Sequence, residues 1–325
     1  MKTKRLGYID AIAGLMIFWM VLGHCSYFSH IGLSFFKFLG FYMPWFYYKS
    51  GMFYNPKEQI DLIRKDIDKF LHPFITYSLI GWGVWSICGM IKGTQTLLSC
   101  VLKAFNSFVT HGNIAGNGAL WFLLSLFLVR ELANIIIKRD LPIPLLVLVC
   151  FFLGFGLYYY GWYNHSWWMG NVFSGLFFFL LGYWLKGKDD TTILILLSAF
   201  ILLVYIIAHF TGIIDFPYLY MHANKMYIGN YVLFYPMAVA GIVATNYLFR
   251  ICYTRFSLKI LEYIGRNSMN IYVTHWILFV LVSFIAKNLL HVESDGIHFI
   301  LLLGTSIIFL PIICNFINKI THTTK

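Results

Sequence analysis

Residues 8–28 read YIDAIAGLMIFWMVLGHCSYF, and this stretch indicates whether the protein folds in water or in a lipid bilayer. In this run of mostly apolar and small residues, Asp10 and His24 are the side chains that can carry a charge near neutral pH. An apolar stretch of about 17–25 residues is long enough to cross the hydrocarbon layer of a bilayer as a helix. The stretch therefore predicts a transmembrane helix that carries an acid near one end and an imidazole near the other.

The composition of the whole chain agrees with a membrane protein. Of its 325 residues 60% are hydrophobic and 11% are charged, and the mean hydropathy is +0.74. Soluble domains average about 25% charged residues, so this chain has too few to cover a water-exposed surface. We predict an all-α integral membrane protein, one domain over residues 1–325, with about ten transmembrane helices at 8–28, 33–54, 70–91, 119–137, 141–160, 170–186, 191–212, 227–249, 267–289 and 297–318.

Basic residues predict the orientation of this bundle. With the N-terminus in the cytoplasm, most of the 24 lysines and arginines fall in cytoplasmic segments, as the positive-inside rule requires, and both termini are cytoplasmic. The outer segments then contain Lys92, Lys103, Lys225 and Lys287. The net charge of +11 is explained by anionic lipid headgroups, so nucleic acid is not needed as a partner.

The termini, cysteines and loops add further expectations. No signal-peptide cleavage site follows Met1–Arg5, so the first apolar segment is expected to remain as an anchor. The six cysteines lack metal-site spacing and suit apolar packing, with Cys88 and Cys100 an undecided disulfide pair. Residues 55–69 predict an amphipathic interfacial helix, 92–118 an outer loop, and the aromatic 156–168 either an interfacial belt or a surface for sugar stacking.

Asp10 and His24 lie on one face of the first predicted helix. Fourteen residues separate them by about 40° around the axis and about 21 Å along it, which is too far for a direct dyad. A charge inside a membrane costs about 2.5–3.5 kcal/mol or more, so such residues are functional candidates by default. The structural alternatives are a helix-capping role for Asp10 and a packed, hydrogen-bonded His24 at the outer interface.

Two further spans carry polar groups. Lys49 lies at a depth similar to that of Asp10, so the two are expected to form an ion pair unless Lys49 extends to the headgroups instead. The adjacent Ser50-Gly51 suits a close helix contact. The ninth span begins GRNSMNIYVTHW, in which His275 is a second buried imidazole suited to acid–base chemistry near neutral pH, or a packed histidine.

Several motifs together resemble the acyltransferase-3 family of integral membrane O-acyltransferases, in particular its fucose 4-O-acetylase-like and polysaccharide O-acetyltransferase members. The matching stretches occur in the family's order and cover nearly the whole chain. They are IDAIAGLMIFWMVLGH at Ile9–His24, MPWFYYKSG at Met43–Gly51, ALWFLLSLF at Ala119–Phe127, GLFFFLLG at Gly175–Gly182 and IGRNSMNIYVTH at Ile264–His275.

The resemblance implies an enzyme that transfers an acyl group, usually acetyl, from cytoplasmic acetyl-CoA to a sugar hydroxyl of a surface or exported glycan, with no metal. It implies a multi-pass protein of the cell membrane, such as the inner membrane of a bacterium, in contact with lipid and compatible with an oligomer. Carried over by position, His24 is the catalytic histidine and Asp10 its motif acid. Ser50 matches the second-span serine and is expected to bind the cofactor, and the motif positions expected to bind substrate are Trp121, Phe122, Asn267, Ser268, Tyr272 and His275.

One position departs from the family pattern. Many members have an arginine three residues after the aspartate, where this chain has Ala13. Lys49 is the expected replacement cation for the acyl donor. For the nucleotide of acetyl-CoA we predict further basic residues, which suit phosphates: Arg64, Lys65, Lys69 and Arg266.

Two other classes of protein remain as alternatives. A transporter or flippase would use Asp10, Lys49, His24 and His275 to move protons or bind substrate. A binding or scaffold protein that has lost catalysis is made plausible by Ala13. Binding of acetyl-CoA distinguishes the acyltransferase from the transporter, because only the acyltransferase needs this donor.

Overall fold

A computed structural model describes residues 6–25, 40–159, 170–188, 191–213 and 231–323. All the regular elements in these ranges are helices, as predicted. The predicted basic N-terminus, most of the aromatic segment 156–168, and Lys225 lie outside the described residues.

Thirteen α-helices are present in the described part of the chain. They are α1 (Gly7–Gly23), α2 (Tyr42–Met52), α3 (Gln59–Asp66), α4 (His72–Ile91), α5 (Leu97–His111), α6 (Trp121–Lys138), α7 (Ile143–Tyr159), α8 (Gly170–Trp184), α9 (Thr192–Phe210), α10 (Tyr231–Arg255), α11 (Lys259–Arg266), α12 (Ser268–Phe284) and α13 (Asp295–Thr323). A π-helical turn at Ile67–Leu71 joins α3 to α4, and a second, Ile285–Leu289, extends α12.

Within the described ranges six helical segments are long and apolar enough to cross a membrane: 59–91, 118–138, 192–210, 231–255, 268–289 and 295–319. Three shorter apolar helices lie at 7–23, 143–157 and 171–184. The protein is therefore a multi-pass membrane protein. The count of ten spans and the cytoplasmic position of both termini stay predictions.

Glycines bring two pairs of helices into backbone contact. A Cβ atom on Gly14 of α1 would lie 2.0 Å from the carbonyl oxygen of Leu261 in α11, and one on Gly51 of α2 would lie 1.9 Å from that of Phe179 in α8. Only a residue without a side chain fits such an approach, which is the usual role of small residues between membrane helices. The expected close contact at Ser50-Gly51 is thus confirmed. These contacts fix α1 and α2, which carry the predicted site residues Asp10, Lys49 and Ser50.

The segment 55–69, predicted to be an amphipathic interfacial helix, is helical from Gln59 onward, and its place at the membrane interface stays a prediction. Helix α3 buries Leu62 and Asp66 on one face while Ile60, Asp61 and Arg64 are exposed, and it continues through the π turn into α4. The buried face lies against α6. Asp66, the last residue of this amphipathic helix, therefore lies in the interior of the bundle.

The expected outer loop 92–118 is wrong in its central part, which is the 15-residue helix α5. Thr96 and Ser99 form a capping box at its start, and Gly112 ends it with φ +67°, a conformation that favours glycine. One side of α5 is apolar and exposed; its residues are Leu97, Leu98, Val101, Leu102, Phe105, Phe108 and Val109. In a membrane protein such a stripe fits a helix lying in the interface with this side in lipid.

All six cysteines are free thiols, and five of them are buried. Cys100 contacts the side-chain oxygen of Gln95 at 3.0 Å, and Cys88 is 9% exposed. The two are not joined in a disulfide, so the packing role expected from the sequence describes the cysteines best.

Candidate active site

A large cavity lies between α1, α2, α6 and α12, with a volume of about 920 Å³. We call it the cationic cavity because four of the side chains in its wall carry positive charge. Those four are Lys49, Lys69, Arg130 and Lys186, and Asp10 is the one carboxylate among the lining residues that the structure describes. An excess of cations in a concave, partly apolar wall suits an anionic ligand.

Arg130 is the most firmly held of these cations. Its guanidinium makes two bonds to the fully buried carboxylate of Asp66, with Nε at 2.5 Å and Nη2 at 3.1 Å, and Nη1 donates to Ser50 Oγ at 3.3 Å. The guanidinium carbon also lies 5.3 Å from the ring centroid of Tyr54 and 5.5 Å from that of Phe70. Paired and stacked in this way, the guanidinium is held in one orientation, and the remaining N–H groups of Nη1 and Nη2 are the donors left for an anionic ligand.

Asp10 lies in the wall of the same cavity and is 5% exposed. Its carboxylate oxygen is 3.5 Å from Nε of Arg266. Nη2 of the same arginine donates to the Glu262 carboxylate at 2.8 Å. The backbone of Asp10 is held by Gly265, where a Cβ would meet the Asp10 carbonyl oxygen at 1.8 Å. Lys49 Nζ lies 5.3 Å from the ring of Trp45. The ion pair of Asp10 with Lys49 stays a prediction, although both side chains line one cavity.

A second, smaller cavity of about 350 Å³ contains His24 in its wall, and we call it the histidine chamber. Four aromatic rings and several neutral polar groups share this wall. Its residues are His24, Trp85, Cys88, Gly89, Lys92, Thr94, Gln95, Trp276, Phe279, Val280, Ser283, Phe284, His298 and Leu302. None of these residues belongs to the cationic cavity, so the two cavities share no lining residue.

His24 and His275 are neighbours. Their rings are stacked with centroids 5.5 Å apart and planes inclined by 25°, and the indole of Trp276 meets the His24 ring edge-on at 4.8 Å. His275 is fully buried, and its Nδ1 lies 2.8 Å from the carbonyl oxygen of Tyr272. Because a carbonyl oxygen only accepts, Nδ1 carries the proton and Nε2 of the neutral ring is an acceptor. Nε2 has no hydrogen-bond partner among the described residues.

The two cavities follow one another along two helices. On α1 the cationic cavity includes Asp10 and Ile17, and the histidine chamber includes His24. On α12 the order is the same: Tyr272 lines the first cavity and Trp276 the second. His275 stands between these last two residues and contacts His24. The imidazole pair therefore lies at the histidine-chamber end of these two helices, and the cationic cavity lies at the other end.

The structure brings some predicted site residues together and leaves others apart. Lys49, Ser50, Lys69, Phe122, Ser268 and Tyr272 line the cationic cavity with Asp10. Arg64 and Lys65 lie on the exposed side of α3, away from this wall, and Lys65 contacts Lys57. Asn267 bonds Tyr263 and Asn318, and Trp121 packs against Phe122. The roles proposed for these residues stay predictions.

Arg130, Asp66 and Lys186 are cavity groups or their partners that sequence reasoning missed. A signal for Arg130 was present, because it is an arginine inside an apolar span, where an unpaired charge is costly. Its partner Asp66 lies 64 residues earlier, in a segment read as interfacial. Trp276 and Lys92 of the histidine chamber had no distinguishing pattern.

In the described part of the chain, a cavity with four cationic side chains and a neighbouring cavity that contains His24 lie in one helical membrane protein. The model of the acyltransferase-3 family, described as an acyltransferase domain, matches residues 6–316, so the chain belongs to this family. The resemblance found in the motifs is thereby confirmed, and the enzyme class is acyltransferase. Comparisons with curated proteins and with solved structures give no match.

Proposed function

We propose that the protein is a membrane-bound O-acetyltransferase that moves an acetyl group from cytoplasmic acetyl-CoA to a sugar hydroxyl of a surface or exported glycan. The observation that carries the proposal is the order of the two cavities: a cationic one at Asp10, and a polar and aromatic one at His24. Such an arrangement suits a donor and an acceptor that approach the same imidazole from opposite sides.

The cationic cavity fits the phosphate-bearing donor. Arg130 presents a fixed guanidinium, and Lys69, Lys186 and Lys49 supply point charges around it. These cations take the place of the arginine that the family pattern puts at Ala13, which is fully buried here and distinct from the cavity wall. The apolar part of the wall, including Phe122 and Met269, suits the pantetheine arm.

The reaction at His24 is an acyl transfer in which the proton removed from the acceptor is returned to the leaving group. The His24 imidazole removes the proton from the acceptor hydroxyl as its oxygen attacks the thioester carbonyl carbon. The carbon–sulfur bond then breaks, and the imidazolium returns the proton to the departing thiolate. In the other form that the sequence left open, His24 first carries the acetyl group itself and passes it to the hydroxyl.

His275 supports His24 in either form. Its ring stacks on the His24 ring, and its tautomer is fixed by the bond from Nδ1 to the Tyr272 carbonyl. Trp276 contacts His24 from another direction. Two fixed rings restrict the orientation of the His24 imidazole, which general-base catalysis requires. We therefore assign His275 and Trp276 as positioning residues.

The test is a His24→Ala variant, with His72→Ala as a matched control because His72 is exposed and lines neither cavity. We expect His24→Ala to abolish O-acetylation of the surface glycan while acetyl-CoA still binds, and His72→Ala to change neither. Glycan acetate is measured after alkaline release, and donor binding is measured on purified protein. Wild-type acetylation by His24→Ala would refute the role of His24. A wild-type protein that does not bind acetyl-CoA would favour the transporter.

A further inference from the structure

We propose that the histidine chamber is the acceptor site and that it takes a single sugar residue carrying a negative charge, as a carboxylate or a phosphate. This inference rests on the proposed function, because it names the acceptor class of that reaction. It starts from the distribution of lysines around the chamber, which the expected orientation of the protein in the membrane does not explain.

The orientation predicted from the sequence leaves four lysines on the outer face: Lys92, Lys103, Lys225 and Lys287. One of them lines the histidine chamber, two interact with residues of its wall, and the fourth lies outside the described residues. Lys92 is in the wall, with Nζ 5.4 Å from the ring of Phe284. Lys103 Nζ lies 5.8 Å from the ring of Trp85, a wall residue. Outer lysines oppose the positive-inside bias, so their grouping here calls for a local reason.

The third lysine acts on a buried wall residue. Lys287 and Asp295 both interact electrostatically with His298, which is 4% exposed and bonds Ser283 Oγ through Nε2 at 3.0 Å. Among the wall residues that the structure describes none is acidic. Asp295 offsets part of the charge of Lys287, so the positive character of the chamber rests on Lys92 in its wall and Lys103 beside Trp85, and it disfavours a cationic amino sugar.

The size and the aromatic content of the chamber fit one sugar ring. A volume of about 350 Å³ is at the lower end of the range of about 300–1,000 Å³ that is usual for ligand pockets. The apolar C–H face of a pyranose can lie on Trp85 or Trp276, while its hydroxyls meet Thr94 and Gln95. Aromatic rings combined with a few polar groups give a ligand both contact area and orientation.

The experiment measures glycan binding and acetyl-CoA binding separately, on purified protein in nanodiscs of a zwitterionic lipid. The glycan probe is a short fragment of the surface glycan from which O-acetyl groups have been removed. It is used as prepared and after its carboxylates are reduced and its phosphates removed. The zwitterionic lipid ensures that the lysines have no anionic headgroup to bind, and discs with an anionic lipid test that source separately.

We expect Trp85→Leu to weaken glycan binding by about tenfold. Lys92→Gln together with Lys103→Gln should weaken binding of the charged probe by about three- to tenfold. The neutralised probe should bind the wild type about three- to tenfold more weakly than the charged probe does. The lysine variants should bind the neutralised probe as tightly as the wild type binds it. Acetyl-CoA affinity should be unchanged in all of them. Lys188→Gln, an exposed lysine away from the chamber wall, is the control for overall charge.

Two results would overturn the proposal: a neutralised probe that binds the wild type as tightly as the charged one, or chamber variants that bind the glycan normally. Competition by anionic lipid that removes the lysine dependence would assign the lysines to headgroups and would overturn it as well. If the wild type binds the glycan through Trp85 and Lys92 but does not bind acetyl-CoA, the proposed function fails while the assignment of the chamber stands.

Discussion

The ion pair of Arg130 with Asp66 gives the sharpest test of the cationic cavity, because stability and donor binding should respond differently to its removal. Asp66 is fully buried and the Arg130 side chain is 11% exposed. Arg130→Gln leaves the carboxylate buried without its partner. Removing one member of a buried pair typically costs about 3–5 kcal/mol of the free energy of unfolding. We expect a loss of that order.

The double variant Arg130→Gln with Asp66→Asn should recover most of this loss, since two neutral amides of similar shape replace the two charges. Donor binding should not recover. A hydrogen bond to a charged group contributes about 1.5–3 kcal/mol, which corresponds to about 10–150-fold in the Kd for acetyl-CoA. A protein that folds well but binds its donor weakly is the expected outcome.

The matched control is the exposed pair of Lys138 with Glu58, 2.6 Å apart and joining the same two regions of the chain. Exposed pairs contribute about 0–1 kcal/mol, so Lys138→Gln with Glu58→Gln should change little. Unfolding is followed by thermal denaturation in detergent, and binding by titration with acetyl-CoA. If the Arg130 and Asp66 double variant bound acetyl-CoA with wild-type affinity, the cationic cavity would not be the donor site.

Two further predictions concern the fold. Gly14→Ala should lower the free energy of unfolding by about 1–3 kcal/mol, because the new Cβ would lie 2.0 Å from the Leu261 carbonyl oxygen. Gly23→Ala on the same helix is the control and should be tolerated, because its Cβ would meet nothing within 4 Å. Thermal unfolding of both variants tests this difference. A nitroxide attached at Phe105→Cys should be accessible to oxygen and shielded from a polar nickel reagent. A nitroxide attached at Asn106→Cys should instead be accessible to the nickel reagent and less accessible to oxygen. Equal accessibility at the two positions would show that the apolar side of α5 does not face lipid.

Helices that follow from composition alone could be predicted from the sequence, and helices that depend on packing or caps could not. The long apolar stretches gave α4, α6 and α9 to within a few residues, because a chain in hydrocarbon has to satisfy its backbone internally. Helix α5 was missed because Ser99, Lys103 and Asn106 interrupt its hydropathy, although Thr96 and Gly112 mark its ends. Helix α11 is eight residues long and lies against α1 through Gly265, a tertiary contact.

The candidate site divides in the same way. Asp10, Lys49 and Ser50 were placed at similar depth from their positions in spans, and they line one cavity. The contact of His24 with His275 joins residues 251 positions apart, and no local pattern encodes it. Arg130 shows the same difficulty, because the importance of a cation in a span depends on a partner supplied by another helix.

Under the proposed function, helix α1 would also set the length of the donor that can react. Backbone contacts at Gly14 and Gly265 fix this helix against α11, and Asp10 and His24 are separated by about 21 Å along its axis. An acyl donor anchored by its phosphates at the cationic end reaches the imidazole only through an arm of comparable length. Under the proposed function, a small activated acyl compound such as acetyl phosphate, held at the cationic end, would be too short to reach His24. The position of the two residues on the first helix would then favour long-armed thioesters over short donors of the same reactivity.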